Sequence, residues 1–528
     1  MSPTMVGRSW TTSIDFSTQH RHNTLIIIHN PYSLETNMKL TAAILLLASS
    51  SASGEATYEP GNFSDGNKIE HPVTGGVMYL ANGLQAVAVG SSGEKVALAD
   101  GTESALPYHA NCDGGAAIPT ADGGHIYVSN SEIGSYPDEL TGGVYALTFD
   151  EQNKLTNYQQ LLSGTAYNCH GGETPWGTWI SCEEFRDNGR CWQVDPTGQK
   201  APARTAVTGQ SMDGSSADEH FGAWEAFAWD ADDNKGYVTN DDYPDKDVSS
   251  TYPDHESHSY QGAIVRFSPD ETALACLDAE DVADKWCVLE SGTVDYLKLT
   301  PSESGTGGTF EWVADKNEAN PDLYAGTEGA HVEDGKLTFS TIRDRYLMQL
   351  DLAAMTYTQS AVPFWSEPDN LRILDGVVYV CTDNDDIAGD AVWRWDDVGA
   401  SRMFYEVGHS YPAGVDFADD NMIMYVSMYG DATYQITRTD GLSFADEPKS
   451  ITYEVNGGIA EGKTHEEIAD EVNKVKASVE EMAPEEEAAA PASGGSTPAA
   501  APAPAVSGAA SNVAAGTLVG IITGTLML

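Results

Sequence analysis

Between about residue 58 and residue 440, short runs of β-branched and aromatic residues alternate with clusters of Asp, Asn and Gly. Runs of that length and make-up, bounded by turn formers, read as strands of an all-β protein. One local grammar recurs: a turn glycine or a short lead-in, a branched or aromatic strand, then a polar end. The copies are Gly124–Glu132, Gly177–Glu184, Gly236–Asp242, a looser Gly335–Thr341, Val377–Asp383 and Met424–Met428. Six copies at intervals of roughly 40 to 60 residues predict a six-bladed β-propeller with four strands per blade. A sandwich or several small β domains is the competing architecture. The longer interval between the third and fourth copies leaves room for an insertion over about residues 270–320, carrying Cys276 and Cys287.

Acids and one thiol recur ahead of these strands. Cys169 lies 14 residues before Glu183, Glu225 lies 16 before Asp241, and Asp369 lies 14 before Asp383. Glu328 stands in the same place ahead of Thr341, and Glu132 ends the first copy. In a propeller such positions return to one rim of the central channel. Converging carboxylates repel unless cations neutralise them, and calcium takes six to eight oxygen ligands. The densest stretch, Asn168–Glu184, sets a thiol, a glycine-rich turn and two adjacent carboxylates within one hairpin. Soft sulfur suits a transition metal and hard oxygens suit calcium. The plainer reading is a buried cysteine on a strand, with acids that merely cap turns.

Composition sharpens this. Of 528 residues, 80 are acidic and 27 basic, for a formal net charge of −53. That field excludes nucleic acid and anionic membranes as partners and attracts cations. It equally suits a protein secreted into a salty medium. An anionic substrate would need bound metal to offset the repulsion.

The ends carry addresses. Residues 1–37 read as an upstream extension, and 38–54 as a signal peptide: Met38-Lys39, the apolar Ala42–Leu47, then small residues. The propeller is expected over 55–455 and an acidic helix over 456–487. An Ala/Pro-rich linker follows over 488–512, then an uncharged apolar tail over 513–528, ordered like a GPI signal or a tail anchor. The expectation is a secreted monomer tethered at a cell surface on a flexible stalk. Asn62-Phe63-Ser64 is a glycosylation acceptor in that setting. Seven cysteines leave at least one unpaired. Cys182 with Cys191 and Cys276 with Cys287 are the short-range disulfide candidates, Cys112 with Cys381 a third, and Cys169 the odd thiol.

The run Asn168-Cys169-x-Gly171-Gly172-x-Thr174-Pro175-Trp176-Gly177-Thr178-Trp179-x-x-Cys182-Glu183-Glu184 resembles the signature of the PhoX-type alkaline phosphatases and their wider secreted relatives. Thinner likeness extends over about 105–440, through Glu225-Ala226 with Thr239-Asn240-Asp241, Glu328-Gly329 and Pro368-Asp369-Asn370-Leu371. The resemblance implies a six-bladed propeller whose channel holds iron and calcium. It implies a cysteine on iron, carboxylates on both metals, and phosphomonoester hydrolysis by a metal-bridging oxo or hydroxo group rather than a protein nucleophile. Cys169, Glu183 or Glu184, Glu225, Asp241 and Glu328 match its ligand motifs; the repeats add Glu132 and Asp369. The substrate would be a small phosphoester.

The sequence also departs from the family pattern. Trp224 precedes Glu225 where His is expected, Asn240 stands in place of Glu, and Gly326-Thr327 replaces Arg-Pro. The missing arginine would have gripped phosphate; Arg343 or Arg345 could stand in for it. Two further readings are a calcium-dependent ester or lactone hydrolase and a non-catalytic calcium-binding surface propeller.

Overall fold

The computed structural model describes residues 58–448 and 451, apart from 135–140, 186–188, 211, 213–221, 243–261, 280–281, 365, 384–389 and 408–409. The expected extension, signal peptide, acidic helix, linker and apolar tail lie outside the described residues. Among those described, twenty-nine strands stand against one helical turn, Glu271–Leu274, and four short 3-10 turns.

Six strands begin the antiparallel groups from which the fold is built. They are β1 (Cys112–Pro119), β2 (Asn168–Glu173), β3 (Trp224–Asp230), β4 (Thr327–Glu333), β5 (Glu367–Leu374) and β6 (Pro412–Ala418). β1 and β2 each open a four-stranded sheet. The β3 and β4 groups join edge to edge into a nine-stranded sheet, through Gly307–Val313 and Thr356–Ala361. The β5 group continues through Ala400–Val407 to the early strands Val77–Asn82 and Glu59–Glu70. Leu84–Ser91 completes the β6 group. The start of the barrel therefore pairs with its end. β1 to β6 also pack against one another in order, with β6 back against β1, forming a closed ring of strands and a propeller-like architecture.

Each repeated motif forms the second strand of its group: His125–Ser131, Trp179–Glu183, Lys235–Asn240, Lys336–Thr341, Val377–Asp383 and Ile423–Met428. The expected insertion is half correct. Glu271–Leu274, Ala275–Asp278 and Val282–Leu289 form short helical turns carrying the Cys276–Cys287 disulfide, while Gly292–Pro301 and Gly307–Val313 are strands that widen the sheet.

Between the sheets lie aromatic clusters, such as Phe227, Phe267 and Trp229, with Trp176 edge-on to Trp229 at 5.1 Å. Burial of such side chains contributes about 1.5–3 kcal/mol each. At the axis the constraint reverses and side chains must be small. A Cβ on Gly172 would strike the carbonyl oxygen of Phe227 in β3, and one on Gly414 would meet the backbone of Asp113 in β1.

Cys182–Cys191 and Cys276–Cys287 are disulfides; Cys112, Cys169 and Cys381 are free. The expected Cys112–Cys381 bridge does not form. The two thiols sit in different hydrophobic clusters, and Cys112 Sγ donates to the Met428 carbonyl at 3.1 Å. Asn62 is exposed on Glu59–Glu70, its amide donating to Glu59 at 2.7 Å.

Gly172→Ala is expected to destabilise the protein by about 1–3 kcal/mol or more, because the Cβ overpacks backbone that cannot yield. Denaturant unfolding checks this; wild-type stability in the variant would contradict the close packing of β2 on β3.

Candidate metal centre

The site grows from a backbone irregularity present in every repeat. In β1, Cys112 faces Ser131 but Gly115 faces Ser129, so the inner strand carries one extra residue. The same slip follows Asn168 in β2, Trp224 in β3, Thr327 in β4, Pro368 in β5 and Pro412 in β6. A β-bulge of this kind re-aims the side chain that follows it. The residues so placed are Asp113, Cys169, Glu225, Glu328, Asp369 and Ala413.

A second set stands one residue past the end of each partner strand. Glu132, Glu184, Asp241, Ile342 and Tyr429 each donate a backbone N–H, at 2.7–2.9 Å, to the carbonyl two residues before the bulge residue: Asn111, Tyr167, Ala223, Gly326 and Tyr411. Asp383 takes the equivalent place opposite Glu367. Two rings of six positions result, holding five ligand-type groups in the first and four carboxylates in the second.

Three overlapping triads bring their donor atoms within 4.8 Å of one another: Asp113–Glu132–Cys169, Cys169–Glu184–Glu225 and Glu225–Glu328–Asp369. Cys169 and Glu225 are shared, so the triads form a chain. Cys169 Sγ lies 3.8 Å from Asp113 Oδ2. Glu225 is 1 % exposed, and among the described residues neither of its carboxylate oxygens has a hydrogen-bond partner. One oxygen of Glu328 is in the same condition. Buried acceptors normally find donors, so these atoms are arranged for something other than the protein's own N–H and O–H groups.

Electrostatics agree. Burial raises the Asp113, Glu225, Glu328 and Asp369 carboxyls well above the usual range, and the charged groups acting most strongly on them are other carboxylates. Burial likewise pushes Glu132 up to about 7 and raises the Cys169 thiol, with Asp113 and Glu225 adding to the latter. Two carboxylates 4.8 Å apart repel by about 3.5 kcal/mol at an effective dielectric of 20. Cations remove that cost. Oxygen-rich triads suit calcium, and the thiol-containing ones also suit a softer transition metal.

Most of the residues expected from sequence meet here: Glu132, Cys169, Glu184, Glu225, Glu328 and Asp369. Asp241 belongs to the second ring and acts on Glu328, Glu225, Glu132 and Asp369, although it joins no triad. Glu183 does not take part. It pairs directly with Asn168, so strand alternation turns it away from Cys169, and it accepts from Ala166 N and Trp192 Nε1, both at 3.0 Å. Asp113 escaped the sequence reading. The signal was the Asp113-Gly114-Gly115 step before Gly124–Glu132, which repeats the Cys169-His170-Gly171-Gly172 arrangement.

Beneath the rings the axis is filled. Asn370 Nδ2 donates to the Ala413 carbonyl at 3.0 Å and approaches His170 Nδ1 at 2.5 Å. Burial holds the His170 imidazole neutral, its pKa lowered to about 3. Below this plug a cavity of about 260 Å³ includes Glu173, His331, Arg372 and Asp416 in its wall. Arg372 pairs there with Asp416 at 2.9 Å. Arg345, a candidate phosphate grip, is bound to Glu367 at 2.9 Å. Ser410 Oγ donates to the Tyr429 carbonyl at 2.9 Å.

A family model, alkaline phosphatase PhoX, matches residues 150–242, which bears out the resemblance read from the opening signature. No curated protein matches by sequence. Among solved structures, Pseudomonas fluorescens PhoX in complex with vanadate, a transition state analogue, is 14% identical, with a TM-score of 0.53. The match covers 73% of this chain and 99% of that one. A Xanthomonas campestris gluconolactonase, XC5397, is 12% identical over 74% of this chain and 99% of its own, at a TM-score of 0.36. The PhoX likeness establishes a shared fold.

Two outcomes follow. Glu225→Gln should lower calcium affinity at least tenfold in calorimetric titration, whereas Glu183→Gln should leave it unchanged; equal loss in both would contradict the ring assignment. In metal-free protein, raised carboxyl pKa values mean that the folded state holds protons the unfolded chain has released. Stability should therefore fall as pH rises from about 4 through about 7, the value for Glu132, and calcium should restore it. Melting temperatures at pH 5 and pH 8, with chelator and with calcium, check the sign.

Proposed function

We propose that this protein is a metal-dependent phosphomonoester hydrolase, built as a six-bladed propeller, whose channel mouth binds calcium and iron. The observation that carries the reading is the chain of triads through Cys169 and Glu225, in which a buried carboxylate has no donor of its own. The PhoX family match and the fold shared with P. fluorescens PhoX, which was captured with vanadate, support phosphate esters as the substrate class.

The donor set fits the two metals. Cys169 with Glu184 and Glu225 would hold iron, and Asp113, Glu132, Glu328 and Asp369, together with the shared Glu225, would hold calcium, with Asp241 and Asp383 adding negative charge around them. When bound, these cations supply Lewis acidity and positive charge for a phosphoryl group. The protein's own contribution is placement. The bulges fix Asp113, Cys169, Glu225, Glu328 and Asp369 on strands rather than loops, and His170 and Asn370 pack beside them along the axis. No side-chain nucleophile is required of this chain.

The two disulfides suit an oxidising compartment, in keeping with a secreted protein held at a cell surface by its C-terminal tail.

Purified protein should contain both calcium and iron and should hydrolyse p-nitrophenyl phosphate, with activity lost on chelation. Cys169→Ser should lose iron while retaining most calcium. Calcium alone, with no hydrolysis of any phosphomonoester, would favour the non-catalytic calcium-binding reading; calcium alone with ester or lactone hydrolysis would favour the other.

A further inference from the structure

The sixth repeat breaks the pattern of the other five. At its bulge stands Ala413, where the others place Asp, Cys or Glu, and in the second ring stands Tyr429, where four repeats place an acid. Tyr429 is committed to the scaffold. Its hydroxyl accepts from Asn111 Nδ2 at 2.8 Å and also bonds to Glu132. Tyr411 stacks on it, with ring centroids 4.8 Å apart and planes at 10°. Tyr411 is half-buried, and its phenol lies within electrostatic range of Asp383, Glu132 and Asp113. Its hydroxyl has no hydrogen-bond partner among the described residues.

The sixth repeat's side of the rings is thus neutral and aromatic, with an O–H donor that no described residue engages. A phosphoryl group carries negative charge, so acids in the remaining repeats repel it wherever a cation does not intervene. The Ala413–Tyr429 sector adds no acid of its own to that repulsion. Gly326-Thr327, in the fourth repeat, provides no guanidinium, and Arg345 is engaged by Glu367.

We infer that Tyr411 is a substrate-binding residue whose hydroxyl donates to a phosphoryl oxygen entering through the sixth repeat, in the role the absent arginine would fill. This rests on the phosphomonoesterase reading. Stacking on Tyr429 restrains the ring, so the donor is oriented before substrate arrives, which is how a single hydrogen bond to a charged group gains strength. Burial and the surrounding acids hold the phenol in its protonated, donating form.

Tyr411→Phe keeps the stack and removes only the donor. In the metal-loaded protein it should reduce kcat/KM for p-nitrophenyl phosphate, and weaken competitive inhibition by inorganic phosphate, by about 10–100-fold. Calcium and iron content and melting temperature should stay at wild-type values. Tyr429→Phe, which loses the bonds to Asn111 and Glu132, should instead reduce metal content. Wild-type kcat/KM and wild-type phosphate inhibition in Tyr411→Phe would overturn the inference while leaving the hydrolase reading intact. If wild-type protein hydrolyses no phosphomonoester, that reading fails. Tyr411 is then judged by calorimetric binding of inorganic phosphate, where equal affinity in Tyr411→Phe overturns the assignment.

Discussion

Mutual repulsion among carboxylates buried at one point is the constraint around which this molecule is arranged. Five repeats deliver a ligand-type side chain to the same bulge and four add an acid behind it, all at the closed axis of a ring of strands. Hydrogen bonds do not quiet the charge of Glu225: among the described residues both its oxygens lack partners. A protein has two ways out, protonation or cations. The raised carboxyls of Asp113, Glu225, Glu328 and Asp369 describe the first, and the triads through Cys169 and Glu225 describe the second.

The fold supplies the rigidity that such an arrangement demands. Small residues along the axis let six strands approach closely, and any added Cβ at Gly172 or Gly414 meets backbone of the neighbouring repeat. Pairing of Leu84–Ser91 with Ala432–Arg438 closes the ring, so the repeats cannot splay apart to relieve the charge. Below, His170 and Asn370 separate the anionic mouth from a mixed cavity in which Arg372 and Asp416 neutralise each other. The two ends of one channel therefore have different chemistry.

Much of this was legible in the residues. Runs of branched and aromatic residues after turn formers mark the second strand of each group, because these strands are buried over most of their length and composition records it. The acids at Glu225, Glu328 and Asp369 stand out because they recur at similar offsets. Finer features were not legible. Whether Glu183 or Glu184 faces the axis depends on a one-residue register that adjacent identical residues conceal; pairing of Asn168 with Glu183 decides it. Asp113 was missed because it lies 19 residues before its second-ring acid Glu132, farther than in the other repeats. Cys112 and Cys381 looked like partners by elimination, yet distance in the fold, not parity, determines bridging. Tyr411 carries no motif, and its importance emerges only when the sixth repeat is set beside the other five.

Anomalous scattering from crystals of the native protein, collected on either side of the iron edge, addresses the central claim most directly. The account predicts a strong iron peak within bonding distance of Cys169 Sγ and calcium peaks bridging the carboxylates of Glu225, Glu328 and Asp369. Density at the axis explained by water alone, with Cys169 bonded to no metal, would contradict it.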